Sequence, residues 1–263
     1  MRQRPGRPSG SMIIAGVLIL ILAVVTVAGA IFAFQLPEAI TEQGKQTVIL
    51  YEATLAISFI IYFGVTAGLI YAIFKFKRKP GDAMPVQIHG SSTAEFTWTV
   101  IPIIILVALF IPALVLVIDF KTPPTEANAD VTIDVVGHQW WWEFQYPNDN
   151  IKVQATPPKY DELVPPVLVV PVNKTILLHI RSTDVIHSFY APHLLYKMQA
   201  IPGNINDMHF KAEKTGTFIG QCYQFCGTRH ADMRWTLQVV SQADYDKWLR
   251  DTKSAQPAPG APR

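Results

Sequence analysis

Hydrophobic positions follow two patterns along this chain, long unbroken blocks up to Ile118 and short interrupted runs beyond Phe120. Three charge-free blocks, Met12 to Phe34, Ala53 to Phe74 and Phe96 to Ile118, each come near the roughly 20 apolar residues that a helix needs to cross a bilayer. They predict membrane helices. From Phe120 onward the runs are short and rich in β-branched residues, as in "VTIDVV", "VLVVPV" and "KTILLHI", and Pro, Asn, Asp and Gly turn signals separate them. Such a series predicts an all-β sandwich or barrel of about 130 residues. The clear helical segment outside the apolar blocks is "SQADYDKWLRD", which Ser241 can cap. The end of the chain, "KSAQPAPGAPR", is too rich in Pro, Ala and Gly to pack and is expected to be disordered. The expected divisions are therefore 1–36, a signal peptide or extra transmembrane helix; 37–119, a helical hairpin; 120–252, the β domain; and 253–263, the tail.

Composition strengthens the membrane reading, because half of the 263 residues are hydrophobic and 16% are charged, against roughly 25% charged in soluble proteins. Basic flanks then give the orientation, since inner loops are enriched in Lys and Arg. Arg2, Arg4 and Arg7 place the N-terminus inside, and Lys75, Lys77, Arg78 and Lys79 place the loop between the second and third blocks inside as well. Everything after Ile118 is expected on the outer face. The first block, with its three arginines and the small residues Ala28, Gly29 and Ala30, reads equally as a cleavable signal or as a retained helix. Either choice leaves the C-terminal domain on the same side. Few polar groups interrupt the blocks, which argues against a polytopic transporter. Net charge is +2, and between Asp130 and Arg250 there are 12 Asp and Glu against 11 Lys and Arg, so no nucleic-acid partner is implied.

Candidate chemistry is concentrated in "GQCYQFCGTRHADM", Gly220 to Met233, which holds both cysteines of the chain. Thiolate, imidazole and thioether in one loop favour copper over zinc or magnesium. A mononuclear electron-transfer copper uses one cysteine, so the second one needs a reason. Two thiolates can bridge two copper ions, and that scheme requires a further histidine from elsewhere. His187 in "DVIHSF" is the preferred candidate and His193 in "APHLLY" the alternative. A disulfide is the competing use of two outer-face cysteines, but it gives His230 and Met233 no part. Zinc likewise leaves Met233 without one. His89, His138, His179 and His209 read as structural, and Met198 and Met208 as packing.

These residues resemble cytochrome c oxidase subunit II, and the likeness extends over nearly the whole chain after Pro37. It is carried by "QIHGSSTAEFTWTVIP", "GHQWWWEFQYP", "DVIHSF", "AIPGNIN" and "GQCYQFCGTRHADM", in family order. The resemblance implies a two-helix membrane hairpin, a cupredoxin-like Greek-key sandwich and the binuclear copper centre called CuA. Its ligands would be His187, Cys222, Cys226, His230 and Met233, with the backbone carbonyl of Gln224. Most members carry Glu at the position of Gln224, where the side chain also helps hold magnesium against subunit I. Gln224 keeps the carbonyl but lacks the anionic oxygen a hard cation prefers, which puts that magnesium site in question. Trp140 matches the position where electrons arrive from the donor, whereas Trp141 and Trp142 read as core or membrane-interface aromatics. Glu95, three residues before Trp98, matches a residue at the mouth of a proton path into subunit I; an acid there also suits a helix N-terminus.

The implied activity is acceptance of electrons from cytochrome c, or from a small copper protein, and their transfer to haem in subunit I, where oxygen is reduced to water and protons are translocated. Implied partners are subunit I and further oxidase subunits. The implied location is a bacterial-type cell membrane, with several passes and the copper domain on the periplasmic or extracellular face. No haem motif is present, and nothing in the chain looks like an oxygen-reducing site. Two rivals share parts of the pattern. The CuA subunit of a nitric oxide reductase would share almost every residue. A membrane-tethered copper chaperone also uses Cys-x3-Cys with a distant His, but near the start of a thioredoxin-like domain and followed by a long helix. A quinol oxidase subunit II would lack Cys222 and Cys226.

Overall fold

A computed structural model describes residues 23–29, 35–78, 80–154 and 164–255. The chain divides at Pro37 into two units. In the first, residues 23–29 are helical. The rest of the first apolar block lies outside the described residues, and so does the choice between signal and retained helix.

The second unit opens with two long helices, α1 (Glu42–Lys75) and α2 (Ser92–Lys121). At 1.5 Å per residue they run roughly 50 and 45 Å, longer than the ~30 Å hydrocarbon core of a bilayer. Both start on capping residues that satisfy otherwise orphaned amides. The Thr41 hydroxyl accepts from Gly44 N at 3.0 Å, and the Ser91 hydroxyl accepts from Ala94 N at 3.4 Å. Most apolar side chains of the two helices are exposed and nearly all the rest are only partly buried. In water that arrangement is unstable; in lipid it is the expected one. The protein is accordingly a membrane protein with two candidate spanning helices.

The rest of the unit is a sandwich of ten strands: β1 (Val131–His138), β2 (Trp141–Tyr146), β3 (Ile151–Gln154), β4 (Val167–Pro171), β5 (Thr175–Ser182), β6 (His187–Ala191), β7 (Tyr196–Ala200), β8 (Asn206–Lys211), β9 (Gly216–Cys222) and β10 (Arg234–Val240). One sheet has the order β3-β2-β1-β5-β8 and the other β4-β10-β9-β6-β7. The β1–β5 and β4–β10 pairs are parallel, which needs connections that cross between the sheets, and the remaining pairs are antiparallel. This is the cupredoxin-like architecture that the resemblance implies. A short helix, α3 (Gln242–Ala255), follows β10, and Ser241 caps it by accepting from Asp244 N at 3.2 Å. It continues through Lys253 to Ala255, beyond the expected start of the tail; residues 256–263 lie outside the described residues.

Alternation along the strands puts one face of each sheet into a common core. At its centre Trp235 stacks on Phe189, with ring centroids 4.0 Å apart and planes 12° from parallel. Phe144 and Trp142 pack edge-on against the same Phe189. Trp142 in turn meets the ring of His187 at 5.9 Å. The aromatic core thus reaches directly beneath the cysteine loop. Two residues ahead of α1, Ile40 and Thr41, also belong to the sandwich. Ile40 is fully buried in the core; its amide donates to His193 O at 3.1 Å and its carbonyl accepts from Glu213 N at 2.9 Å. That strap joins the start of α1 to the turn after β6 and to the residues just past β8, while Tyr196 donates to Phe120 O at 3.0 Å and joins the end of α2 to β7.

Candidate metal centre

Cys222 closes β9, and β10 begins one residue after Met233. The two strands pair antiparallel, so the loop between them must return to its starting point; Cys222 N donates to Met233 O at 2.9 Å and completes the closure. Within the loop a 3₁₀ turn, His230–Asp232, brings the His230 ring back towards Cys226. His187 arrives from outside, as the first residue of β6, which lies beside β9 with Phe189 opposite Cys222.

The donors converge on the thiols. Cys222 Sγ and Cys226 Sγ are 3.8 Å apart and not bonded to each other. His187 Nδ1 stands 4.0 Å from Cys222 Sγ, and His230 Nδ1 stands 3.5 Å from Cys226 Sγ. Met233 Sδ is 3.8 Å from Cys226 Sγ, and the Gln224 carbonyl is 3.1 Å from Cys222 Sγ. His187, Cys222 and Cys226 form the group among the described residues whose ligand atoms are close enough to hold a metal ion. His187 and Met233 are 0% exposed, and the two cysteines are 2% and 4%. Water is therefore largely shut out.

Burial and the adjoining charge make the two thiols titrate apart. Burial raises Cys222, but hydrogen bonding with His187, the backbone of Ser188 and Gln224, and Cys226 outweighs it and brings that thiol down to about 7. Burial together with repulsion from the Cys222 thiolate pushes Cys226 up to about 12. Hydrogen bonds favour the first thiolate, and its charge opposes a second one 3.8 Å away. Burial works against a charged His187, yet its hydrogen bonds to Cys222 and Asp184 raise it above the ordinary imidazole value.

Three surrounding residues organise this set. Asp184 Oδ1 lies 2.8 Å from His187 Nε2, and Asp184 Oδ2 accepts from Gln139 N at 2.7 Å. A carboxylate on the far nitrogen of a ligand histidine fixes its tautomer and ring orientation. Burial opposes the Asp184 charge, but hydrogen bonds from His187, Val185 N and Gln139 N hold the carboxyl below its usual range. Gln139 Nε2 also donates to Cys226 O at 2.8 Å, and Trp140 Nε1 donates to the same carbonyl at 3.1 Å. Sequence reasoning passed over Asp184 and Gln139. Their signals were present, a carboxylate three residues before His187 and an amide directly before Trp140, but neither has a partner until the strands are paired.

The other candidates stand elsewhere. His193 Nδ1 lies 2.9 Å from Glu38 O, and its ring packs on Phe218, away from the thiols. His138 stacks flat on Trp141, and His179 meets Asp207. Trp142 is a core residue. Glu95 is exposed in the first turn of α2, the end remote from the sandwich, and its Oε1 accepts from Ser91 N at 3.2 Å, completing the reciprocal cap. After Cys226 the chain passes through the 3₁₀ turn into β10, so the long helix that marks the thioredoxin-like arrangement does not follow.

Residues 131–240 match the family model described as cytochrome C oxidase subunit II, periplasmic domain, and residues 29–116 match the transmembrane domain model of the same subunit. The chain is 34% identical over 220 residues to cytochrome c oxidase subunit 2 of Alkalihalophilus pseudofirmus, across 80% of this chain; it spans 60% of that relative's length. It is 32% identical over 216 residues to cytochrome c oxidase subunit 2 of Cereibacter sphaeroides, across 72% of this chain and 70% of the relative. Among solved structures, the periplasmic domain of subunit II of cytochrome oxidase from Bradyrhizobium japonicum is 36% identical, with a TM-score of 0.45 over 51% of this chain and 98% of that one. With both halves of the subunit matched in order and such identity over most of a relative's length, this chain belongs to the cytochrome c oxidase subunit II family.

Proposed function

We propose that this chain is the electron-accepting subunit of a haem-copper oxidase and that the cysteine loop holds a binuclear copper centre. The observation that carries the proposal is the convergence of two unbonded thiols, two imidazoles, a thioether and a carbonyl at one buried point. The donor set fits the group. Two thiolates 3.8 Å apart would need the positive charge that bound metal supplies, and soft sulfur with imidazole suits copper. His187, Cys222, Cys226, His230, Met233 and the Gln224 carbonyl would hold it. When bound, such a pair supplies a one-electron store in which charge is shared between two metals.

The protein's own part is pre-positioning. The β9–β10 closure holds the loop, and the Asp184 carboxylate holds the His187 ring. Little needs to move when charge arrives. Trp140 is half-buried and bonded to the Cys226 carbonyl, which supports it as the point where electrons arrive from cytochrome c or a small copper protein. Haem in subunit I would receive them, and oxygen reduction with proton translocation would occur there. Glu95, exposed at the start of α2, is carried over as the mouth of a proton path. Gln224 presents a neutral amide where a hard cation favours a carboxylate, so no magnesium role is assigned to it. Lys75, Lys77, Arg78 and Lys79, in the loop between the two helices, support a sandwich on the outer face of the membrane.

Electron paramagnetic resonance with copper quantitation on the copper-loaded full chain tests the centre. Two coppers per chain and a hyperfine pattern of one electron shared equally between them are expected. One localised copper, or a copper-free disulfide, would overturn the reading. Trp140→Phe keeps an aromatic ring but removes the indole N–H. Because Gln139 Nε2 still donates to the Cys226 carbonyl, the variant is expected to keep two coppers per chain and to slow reduction by an external donor; equal rates would remove Trp140 from the path.

A further inference from the structure

We propose that Gly137 is a positioning residue for the metal centre: by having no side chain, it sets where the His187 imidazole stands relative to the cysteines. The inference rests on the copper reading above. Gly137 lies within β1, opposite Trp142 on β2 and Ser182 on β5. Its φ is not among the left-handed values of the chain, so the backbone there does not call for glycine. Within a strand, a glycine that is not a turn or bulge marks a close approach. Here the approaching group is the ligand ring. A Cβ on Gly137 would sit 2.9 Å from His187 Cδ2, 3.3 Å from His187 Cγ and 3.2 Å from Trp142 Cζ3.

The ring has no free direction in which to yield. Its Nε2 is tied to Asp184 Oδ1 at 2.8 Å, and Asp184 is itself tied down by Gln139 N at 2.7 Å and Val185 N at 2.6 Å. Trp142 packs edge-on against it, and His187 is 0% exposed. Its Nδ1 points towards Cys222 Sγ, 4.0 Å away. Any shift that makes room for a methyl group must lengthen the bond to Asp184 or re-aim Nδ1. Either change falls on one imidazole only, so it must unbalance a centre that depends on two similar sites.

Gly137→Ala in the full chain, in detergent and loaded with copper, is the experiment. The variant is expected to bind two coppers per chain, with the equal hyperfine pattern replaced by an unequal one and the visible absorption bands displaced. A lowered melting temperature with wild-type hyperfine and absorption would overturn the proposal, because crowding would then act on the fold alone. A second measurement needs no variant and no copper. In the copper-free wild-type chain, with labelled histidine and glycine, a strong nuclear Overhauser contact between the Gly137 α-protons and His187 Hδ2 is expected. Its absence would also overturn the proposal. Failure of the wild-type chain to give a shared-electron signal would count against the copper reading, while the copper-free contact would still decide the placement of His187 on Gly137.

Discussion

Cys226→Ser is expected to leave the chain folded and to abolish the paired copper centre. A serine hydroxyl is smaller than a thiol, stays protonated at neutral pH and is a hard donor. It cannot bridge two soft metals. Neighbours for the new hydroxyl are already present, because His230 Nδ1 stands 3.5 Å from the Cys226 sulfur. The stability cost should therefore stay near ~1 kcal/mol, the ordinary size for a single substitution. Copper content should fall from two per chain to one or none, and any residual signal should show a single localised metal. Cys222→Ser should behave alike, since Cys222 lies between His187 and the Gln224 carbonyl. Retention of an equally shared electron in either variant would sink the bridging assignment. Both losses with normal folding would also exclude a structural disulfide, whose removal typically costs about 2–5 kcal/mol.

Gly220→Ala is expected to be the most damaging small substitution in the sandwich. A Cβ on Gly220 would overlap the indole of Trp235, at Cε2, Cζ2 and Nε1. Trp235 is fully buried, stacked on Phe189 and edge-on to Phe144. Moving it would disturb the stack that reaches His187 through Trp142. Overpacking of a dense core usually costs about 1–3 kcal/mol and more where nothing can yield. The upper end or beyond is expected here, lowering the melting temperature by roughly 10 °C in a protein of this size. Thermal unfolding followed by near-ultraviolet circular dichroism would measure it. A second substitution, Trp235→Leu, should make the cost of Gly220→Ala much smaller, because residues in direct contact are not additive. A full, additive cost in the double variant would show that the indole is not the cause.

Both predictions depend on features that differ in how far the sequence announced them. The cysteine loop was legible because its donors lie within a dozen residues and the spacing of soft ligands is itself a chemical statement. The two described spanning helices were legible for a similarly local reason: a charge-free block long enough to cross a bilayer has few other stable fates. Trp235, by contrast, lies in a run that any core strand would carry. Nothing in "MRWTLQVV" says that Gly220 must open space for it. That constraint exists only because β9 and β10 pair with Trp235 opposite Gly220.

The same division holds for the outer parts of the site. His187 was picked out over His193 because it opens the loop before the cysteine segment, and the geometry brings His187 to the thiols while His193 faces Glu38. Asp184, Gln139 and Gly137 stayed unread, and so did Ile40, which the apolar pattern assigned to the helical hairpin. Ile40 is in fact part of the sandwich core. Local chemistry, meaning apolar length, turn residues and the donor set of one loop, determined by itself that this chain has membrane helices, a β domain and a loop of soft donors. Tertiary structure alone decided how the sheets are ordered, which side chains steady His187, and where glycine is required. Those facts depend on pairs such as Gly137 with His187 and Gly220 with Trp235, whose close approach arises only when separate strands are paired and packed to van der Waals contact.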